Sequence, residues 1–478
     1  MFYPFAERRV LSATLLLVVT IGTFYPVLFN GFVYDDHFQL VANPYVKDLR
    51  YVRTLFATDV WHFSPATRSN NYRPLHMLAY LVLYKCFGLN PFVFHLTNLF
   101  LHLCCVFLIW RIAQQYLEET PAFLSALLFG THPVHVEPIA WIGGTPDLLH
   151  GVFLLSAFLL YLRGAVLVSL IPFAAALWSK EPALVFPAVV VIDHCLFRRS
   201  QLRSFLFWLC GSIMVVLLYL CARVYALGSF LRLNEVRLDI ADQLYTAVSF
   251  TGFYLNKLIL PVDLRTFYHF RLPLDWETSW IALLTLVGGL SFLFLARRNR
   301  TTVLGGLWFA VMIIPCLFAS GVSPVLFAER YAYVPSAGFF LALAALPLKR
   351  AGYVLLLCLG VVFALISFPR SEIWKDDVTL WTAAVSDAPP SVTANYNLAT
   401  AYLKLKKWQQ AADFYRRTIS LNPEIAEAYY NLASCNFSLK KYSDSAENLR
   451  LFLNHWKGDD RRRREAVQKL EQLERLQQ

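Results

Sequence analysis

The sequence predicts an all-α protein: a polytopic membrane helical bundle over residues 1–370, followed by a tetratricopeptide α-solenoid over 371–478. Three observations lead there. Of 478 residues, 57% are hydrophobic and 16% aromatic while only 16% are charged, and the mean hydropathy is +0.48; soluble domains do not have this balance. The apolar residues gather into runs of membrane-helix length. From about 371 the composition turns polar and amphipathic, and repeats at a spacing of 34 residues.

Eleven apolar runs serve as spans, at about 10–29, 95–112, 120–133, 148–163, 165–179, 182–196, 205–225, 279–296, 302–318, 331–348 and 353–368. Several are shorter than the ~20 residues of an upright crossing, so flanking residues or local thinning of the bilayer must complete them. Lys and Arg near span ends stay on the cytoplasmic side. Arg8 and Arg9 precede the first run and put the N-terminus inside. The later inside turns then carry Arg111, Arg163, Arg198, Arg199, Arg203, Arg297, Arg298, Arg300, Lys349 and Arg350, which leaves the C-terminus outside. Stretches 75–89 and 244–260 would break this ladder by crossing once. Their His, Arg, Asn and Tyr content suits helices that lie in the outer interface or re-enter it. Residues 1–29 read as an uncleaved span, because Phe24, Tyr25 and Pro26 stand where a signal peptide needs small residues.

The net charge of +11 is spread over inside turns and the tail. It is read as topology control and contact with anionic membrane lipids, not as a nucleic-acid surface. Eight of nine cysteines, Cys86, Cys104, Cys105, Cys195, Cys210, Cys221, Cys316 and Cys358, lie in apolar helices, and Cys435 stands alone in the tail. No CxxC occurs, so neither a disulfide framework nor a zinc ribbon is indicated.

In the tail, Leu398, Ala399, Tyr402, Ala411, Tyr415 and Pro423 align with Leu432, Ala433, Asn436, Ser445, Leu449 and Lys457. This defines two tetratricopeptide units, about 391–424 and 425–458, each a pair of antiparallel helices brought close by small residues. The second departs from the pattern and reads as a capping unit. The segment around Trp374, Trp381 and Ala384 reads as a degenerate helical pair before the first repeat. Two repeats rarely hold a core, so packing on the membrane part or an added helix at 459–476 is expected. A groove for a protein acceptor or partner is preferred over a solvated spacer.

The polar residues of the membrane part fall on one face. Asp35, Asp36 and His37 follow the first span, and a paired acid there costs solvation and self-repulsion, which marks chemistry. Asn71, Tyr72, Arg73 and His76 come next. His132, His135, Glu137 and Asp147 follow, then Lys180 and Glu181, then Arg265 and His269, and finally Glu329 and Arg330. His132, His135 and Glu137 in HPVHVE offer metal-ligand types, but without a regular helix the spacing favours interfacial hydrogen bonding; no cofactor is indicated, and a divalent metal has no dedicated ligand set. Lys180–Glu181 and Glu329–Arg330 also read as local ion pairs. Together the groups suit a chamber in which a carboxylate takes a proton from an acceptor hydroxyl while cations stabilise a departing lipid phosphate. A flippase for lipid-linked sugars is the alternative, though the charges lie at one face and the spans show no repeat pairing. A silent anchor for the repeats would leave the two aspartates unexplained.

The ordered set GFVYDDHFQLVANP, NYRPLHML, LNPFVFHLTNLFLH, FGTHPVHVEPIAWIGGTPDLL, WSKEP and ERYAYVPSAGF, followed by tetratricopeptide repeats, resembles the transmembrane and tetratricopeptide-containing O-mannosyltransferases and their bacterial relatives over nearly the whole chain. The resemblance implies a GT-C fold and a polyprenyl- or dolichyl-phosphate-linked sugar donor, commonly mannose, with transfer to protein Ser or Thr hydroxyls. Carried over, Asp35 and Asp36 correspond to the paired acids of the first outer loop, one a catalytic base and the other positioning the acceptor. Like-charge proximity is expected to raise the pKa of one of them. Arg330 and Lys180, then Arg73, are expected at the lipid phosphate. His135, Glu137 and Asp147 are expected at sugar hydroxyls, with His76, His132, Glu181, His269 and Glu329 completing the sugar- or acceptor-binding set. GGTPDLL lacks the Arg of the usual GRADLL, and the repeat array is short. Both departures point to a bacterial member in the inner membrane with periplasmic repeats, and leave the sugar and acceptor open.

Overall fold

The computed structural model describes residues 3–64, 69–229, 238–268, 270, 272, 274–318 and 325–477, and every regular element among them is helical. The chain divides into two compact units, Met1–Leu264 with Phe270–Trp374, and Arg265–His269 with Lys375–Gln478.

In the first unit each of the eleven apolar runs is a helix: Tyr3–Phe24, Pro91–Ala113, Glu119–Thr131, Thr145–Leu162, Val166–Ser179, Phe186–Phe197, Leu202–Leu227, Trp276–Leu295, Arg300–Leu317, Tyr333–Ala344 and Arg350–Ser371. Six helical stretches, Glu7–Phe29, Pro91–Ala113, Ile142–Leu162, Arg199–Leu227, Arg300–Leu317 and Arg350–Trp374, are long and apolar enough to cross a membrane, which makes the chain an integral membrane protein. The shorter ones stop where polar loops begin. Glu119–Thr131 has 13 residues and rises about 20 Å, against an apolar core about 30 Å thick. It ends because Pro133 follows His132 and forces the backbone out of the helical region. Val166–Ser179 likewise ends at Lys180, before Pro182. The two interfacial stretches form helices Pro74–Phe87 and Ile240–Ile259, and neither meets the crossing criteria.

The basic inside turns gather at one end of this bundle. The Pro91–Ala113 helix carries Arg111 in its last turn, and near its start Asn98 donates to the Trp141 carbonyl (3.0 Å). At the basic end Asp193 accepts from the Tyr116 hydroxyl (2.5 Å) and from Arg198 (2.9 Å). There Asn299 donates to the Ala345 carbonyl and Arg300 to that of Leu196. The basic ladder of the sequence thus lies away from the loops that carry Asp35, Glu137, Lys180 and Arg330.

Helices Arg300–Leu317 and Tyr333–Ala344 touch backbone to backbone. A Cβ on Gly305 would lie 2.4 Å from the Gly338 carbonyl oxygen, and one on Gly338 would lie 2.5 Å from that of Gly305. Only glycine permits this approach.

The second unit is a run of helices: Asp377–Asp387, Val392–Lys404, Trp408–Leu421, Ala426–Ser438, Tyr442–His455 and Asp460–Gln477. Ala399, Ala411, Ala433 and Ser445 are all buried, as close helix approach requires. The period is also written in the backbone. Lys406 and Lys440 both adopt left-handed φ, 59° and 61°, in the tight turns between paired helices. The last helix packs Ala466 and Leu473 against Tyr430, Leu449 and Phe452, which supplies the added C-terminal cover. The expected degenerate pair is instead one helix carrying Trp381 and Ala384, because Trp374 belongs to the first unit, where it stacks on Trp141 (5.9 Å). A strap from the loop after Ile259 also belongs to the second unit: Phe267 stacks on Trp381 (4.8 Å, 6°), and Thr266 donates to Asp387.

Gly338→Ala forces a methyl group into the Gly305 backbone, an overpacking that costs about 1–3 kcal/mol. Thermal unfolding in detergent is expected to show a lower midpoint for this variant, whereas Gly22→Ala, in a helix and with nothing within 4 Å of its Cβ, does not lower the midpoint.

Candidate active site

The first helix ends in a short turn, Tyr25–Phe29, and Asn30 then donates to the Ser371 carbonyl (3.1 Å). Four residues on, Tyr34 sits at φ 52°, a conformation that costs a bulky residue about 1–3 kcal/mol and persists only where surroundings enforce it. Its ring lies against Trp141 (5.7 Å). The turn sets the two acids in different surroundings. Asp36 is 1% exposed and accepts the Val33 N–H on Oδ2 (3.1 Å) and the Gly143 N–H on Oδ1 (2.9 Å). It ties this turn to the 142–144 loop. Asp35 is half-buried, and burial pushes its carboxyl up to about 6, with the Arg330 charge pulling partly the other way. Desolvation is the leading cause of this rise.

The 142–144 loop depends on its glycines. A Cβ on Gly144 would meet the Pro138 carbonyl at 2.5 Å, and one on Gly143 would meet the Trp141 ring at 2.3 Å. Trp141 is packed by Tyr34, by Trp374 and by the Arg330 guanidinium (5.3 Å). The Tyr331 ring lies between two cations, with Arg330 at 5.0 Å and Lys180 at 5.1 Å from its centre.

Each cation is neutralised from another loop. Glu137 accepts both the Arg330 guanidinium and the Arg330 backbone N–H (2.9 Å). Asp147, in the first turn of Thr145–Leu162, pairs with Lys180 at the end of Val166–Ser179. Glu181 takes Arg73 (2.9 Å), the Tyr72 N–H (3.1 Å) and Arg223 (3.5 Å). Glu329 accepts two bonds from Arg370 (3.0 and 2.9 Å). Burial lowers the Lys180 pKa, and although Asp147 opposes this, the repulsion of Arg73 and Arg330 adds to it.

Asp35, Arg330, Glu137, Lys180, Asp147, Arg73 and Glu181 therefore converge. His76 stands near Arg73, against Tyr80 (4.2 Å), and among the described residues neither of its buried ring nitrogens has a hydrogen-bond partner. Several expectations change. Lys180–Glu181 and Glu329–Arg330 are not local pairs, since each charge finds its partner on a different loop. Glu137, Asp147, Glu181 and Glu329, expected at sugar hydroxyls, are engaged as counter-charges. His132 and His135 are fully buried. The first bonds Leu258 O and the Val134 N–H, the second Phe129 O and the Ser336 hydroxyl, so no ring nitrogen of either is left for a sugar. Among the described residues no His, Cys, Asp and Glu cluster could hold a metal. His269 lies outside the described residues.

Three contributors escape the sequence reading. Trp141 reads as one more apolar residue. Arg223 sits inside the 205–225 run and Arg370 just past the 353–368 run, where a charge in or beside an apolar span was itself the signal.

A tetratricopeptide-repeat family model matches residues 378–423 and 396–453. The chain is similar to a Caenorhabditis elegans protein O-mannosyl-transferase, 26% identical over 421 residues that cover 82% of this chain and 60% of the relative. It is also similar to the mouse protein O-mannosyl-transferase TMTC3, 24% identical over 86% of this chain and 51% of the relative, and to the human protein O-mannosyl-transferase TMTC4, 26% identical over 77% and 61%. The chain thus spans between half and two-thirds of the length of these curated relatives. Among solved structures it is similar to ArnT from Cupriavidus metallidurans bound to undecaprenyl phosphate, with a TM-score of 0.39, 15% identity, and coverage of 94% of this chain and 80% of that one; at that score the likeness carries no functional argument. By sequence, the chain is similar over most of its length to proteins named protein O-mannosyl-transferase.

Proposed function

We propose that the first unit is the catalytic body of a membrane glycosyltransferase that moves a sugar, mannose by analogy with its relatives, from a polyprenyl- or dolichyl-phosphate donor to a hydroxyl of a protein acceptor. The observation that carries this reading is that the Asp35 turn and the Arg330 guanidinium meet over Trp141, beside the Lys180–Asp147 pair, where burial pushes the Asp35 carboxyl up to about 6. A base of that strength is mostly ionised near pH 7 and more basic than an ordinary carboxylate. Asp35 takes the acceptor proton as the hydroxyl oxygen attacks the anomeric carbon. The lipid phosphate departs with the bonding pair, and its growing charge is met by Arg330 and Lys180, with Arg73 behind them. Those cations are already paired, so the phosphate must share them with Glu137, Asp147 and Glu181. That arrangement favours binding of charge that develops over charge already present. His76, whose ring nitrogens lack partners, is suited to a sugar hydroxyl.

The gathering of the inside-turn arginines and lysines away from the site loops supports a site on the extracytoplasmic side, with the N-terminus cytoplasmic. In a bacterial inner membrane that side is the periplasm. The repeat unit, reached through the end of the last apolar helix, is proposed to lie there too and to engage the protein acceptor.

Two outcomes test this. In membranes supplied with polyprenyl-phosphate mannose and an exported acceptor protein, Asp35→Asn is expected to lower transfer by about 10²–10⁴-fold, the usual contribution of a general base. Transfer at the parental rate would rule the assignment out, and sugar-lipid movement across the bilayer without transfer would favour a flippase. The second outcome concerns stability. Because the folded state holds the Asp35 proton more tightly than the unfolded chain, the ionised form is penalised above pH about 6. That penalty fades as pH falls through 6 and is gone below the ordinary carboxylate range. Asp35→Asn is therefore expected to be more stable than the parent by about 1–3 kcal/mol at pH 7.5, and equal to it at pH 3.5, as read by thermal unfolding in detergent.

A further inference from the structure

The short turn Glu329–Ala332 delivers Arg330 to the site, and it is gripped at two successive residues. Glu137 holds Arg330 by side chain and backbone. Glu329 is 1% exposed and held by Arg370, whose other terminal nitrogen donates to the Leu264 carbonyl (2.7 Å). Arg370 stands at the end of the Arg350–Ser371 helix, just after Pro369. That helix end is itself pinned to the segments that carry the acids. Ser371 accepts from Asn30, which leads into the Asp35 turn, and Ser367 donates to the Thr131 carbonyl (2.8 Å), which leads into the Glu137 loop. One helix terminus therefore contacts the roots of three site segments.

We infer that Arg370, through Glu329, is a positioning residue that holds Arg330 against Asp35 and the departing lipid phosphate. The inference rests on the transferase reading above. A planar guanidinium is suited to the task because its forked donors reach a carboxylate and a carbonyl at once, while the compact ammonium of lysine serves one of them. The chemistry needs such a bracket, since a displacement of about 1 Å at a charge-stabilising group lowers rate or affinity sharply.

The test uses the full chain in detergent and three variants, Arg370→Gln, Arg370→Lys and Glu329→Gln, with folding checked by thermal unfolding. One readout is the pH midpoint of Asp35 modification by a water-soluble carbodiimide, followed by peptide mass spectrometry. Arg330 is the cation acting on Asp35, with Tyr34, Asp36, Glu137 and Tyr331 the other titratable groups around the turn. Release of Arg330 is expected to move the midpoint up by about one unit. The second readout is transfer from polyprenyl-phosphate mannose, for which the KM of the donor is expected to rise about 10-fold in the Gln variants, with kcat falling less, and to rise by an intermediate factor in Arg370→Lys. An unchanged midpoint and KM in folded variants would overturn the inference. So would a loss of activity that merely follows the loss of folded protein while the midpoint stays fixed, because that marks a structural role. A midpoint that moves in the variants while the parent chain itself shows no transfer activity would retain the bracket around Arg330 and reject the transferase reading instead.

Discussion

Charge buried at the mouth of an apolar bundle must be neutralised locally, and that requirement organises everything around Asp35. Taking an ion out of water costs several kcal/mol even after relaxation. The chain meets this with one carboxylate for nearly every cation, drawn from distant positions: Glu137 with Arg330, Asp147 with Lys180, Glu181 with Arg73, Glu329 with Arg370. Each pair joins two loops that turn propensity alone would leave independent. The loops are therefore tied together by electrostatics as well as by the helices they connect.

Against that neutral background the two aspartates divide the labour. Asp36 is a structural acceptor whose oxygens bridge two loops, and its hydrogen bonds satisfy a charge that burial would otherwise penalise. Asp35 is the acid left partly desolvated. The left-handed Tyr34 makes the difference possible, since it turns the chain between Val33 and Asp36 and sends adjacent carboxylates into unlike surroundings. Local strain at this position is held in place by the aromatic packing of Tyr34, Trp141 and Trp374.

The broad architecture was legible in the amino-acid order because it rests on composition and period. Apolar runs became helices, and the 34-residue spacing reappeared in the paired turns at Lys406 and Lys440. Partnerships were less legible. Adjacent opposite charges such as Lys180 and Glu181 look like pairs on paper, but the backbone is extended at Lys180 and turns at Glu181, so their side chains diverge to Asp147 and Arg73. His132 and His135 announced a polar site by residue type and turned out to satisfy buried backbone and hydroxyl groups. Trp374 sits four residues beyond 370, the predicted end of the membrane part, and still belongs to the first unit, because stacking on Trp141 is long-range information that no local pattern carries.

The double hold of Glu137 on Arg330 separates seat from charge. One carboxylate oxygen secures the main chain and the other answers the guanidinium. Seat and charge nonetheless answer to one carboxylate, so removing the guanidinium alone would leave Glu137 buried without its counter-charge. The position of this turn and its charge are therefore inherited together.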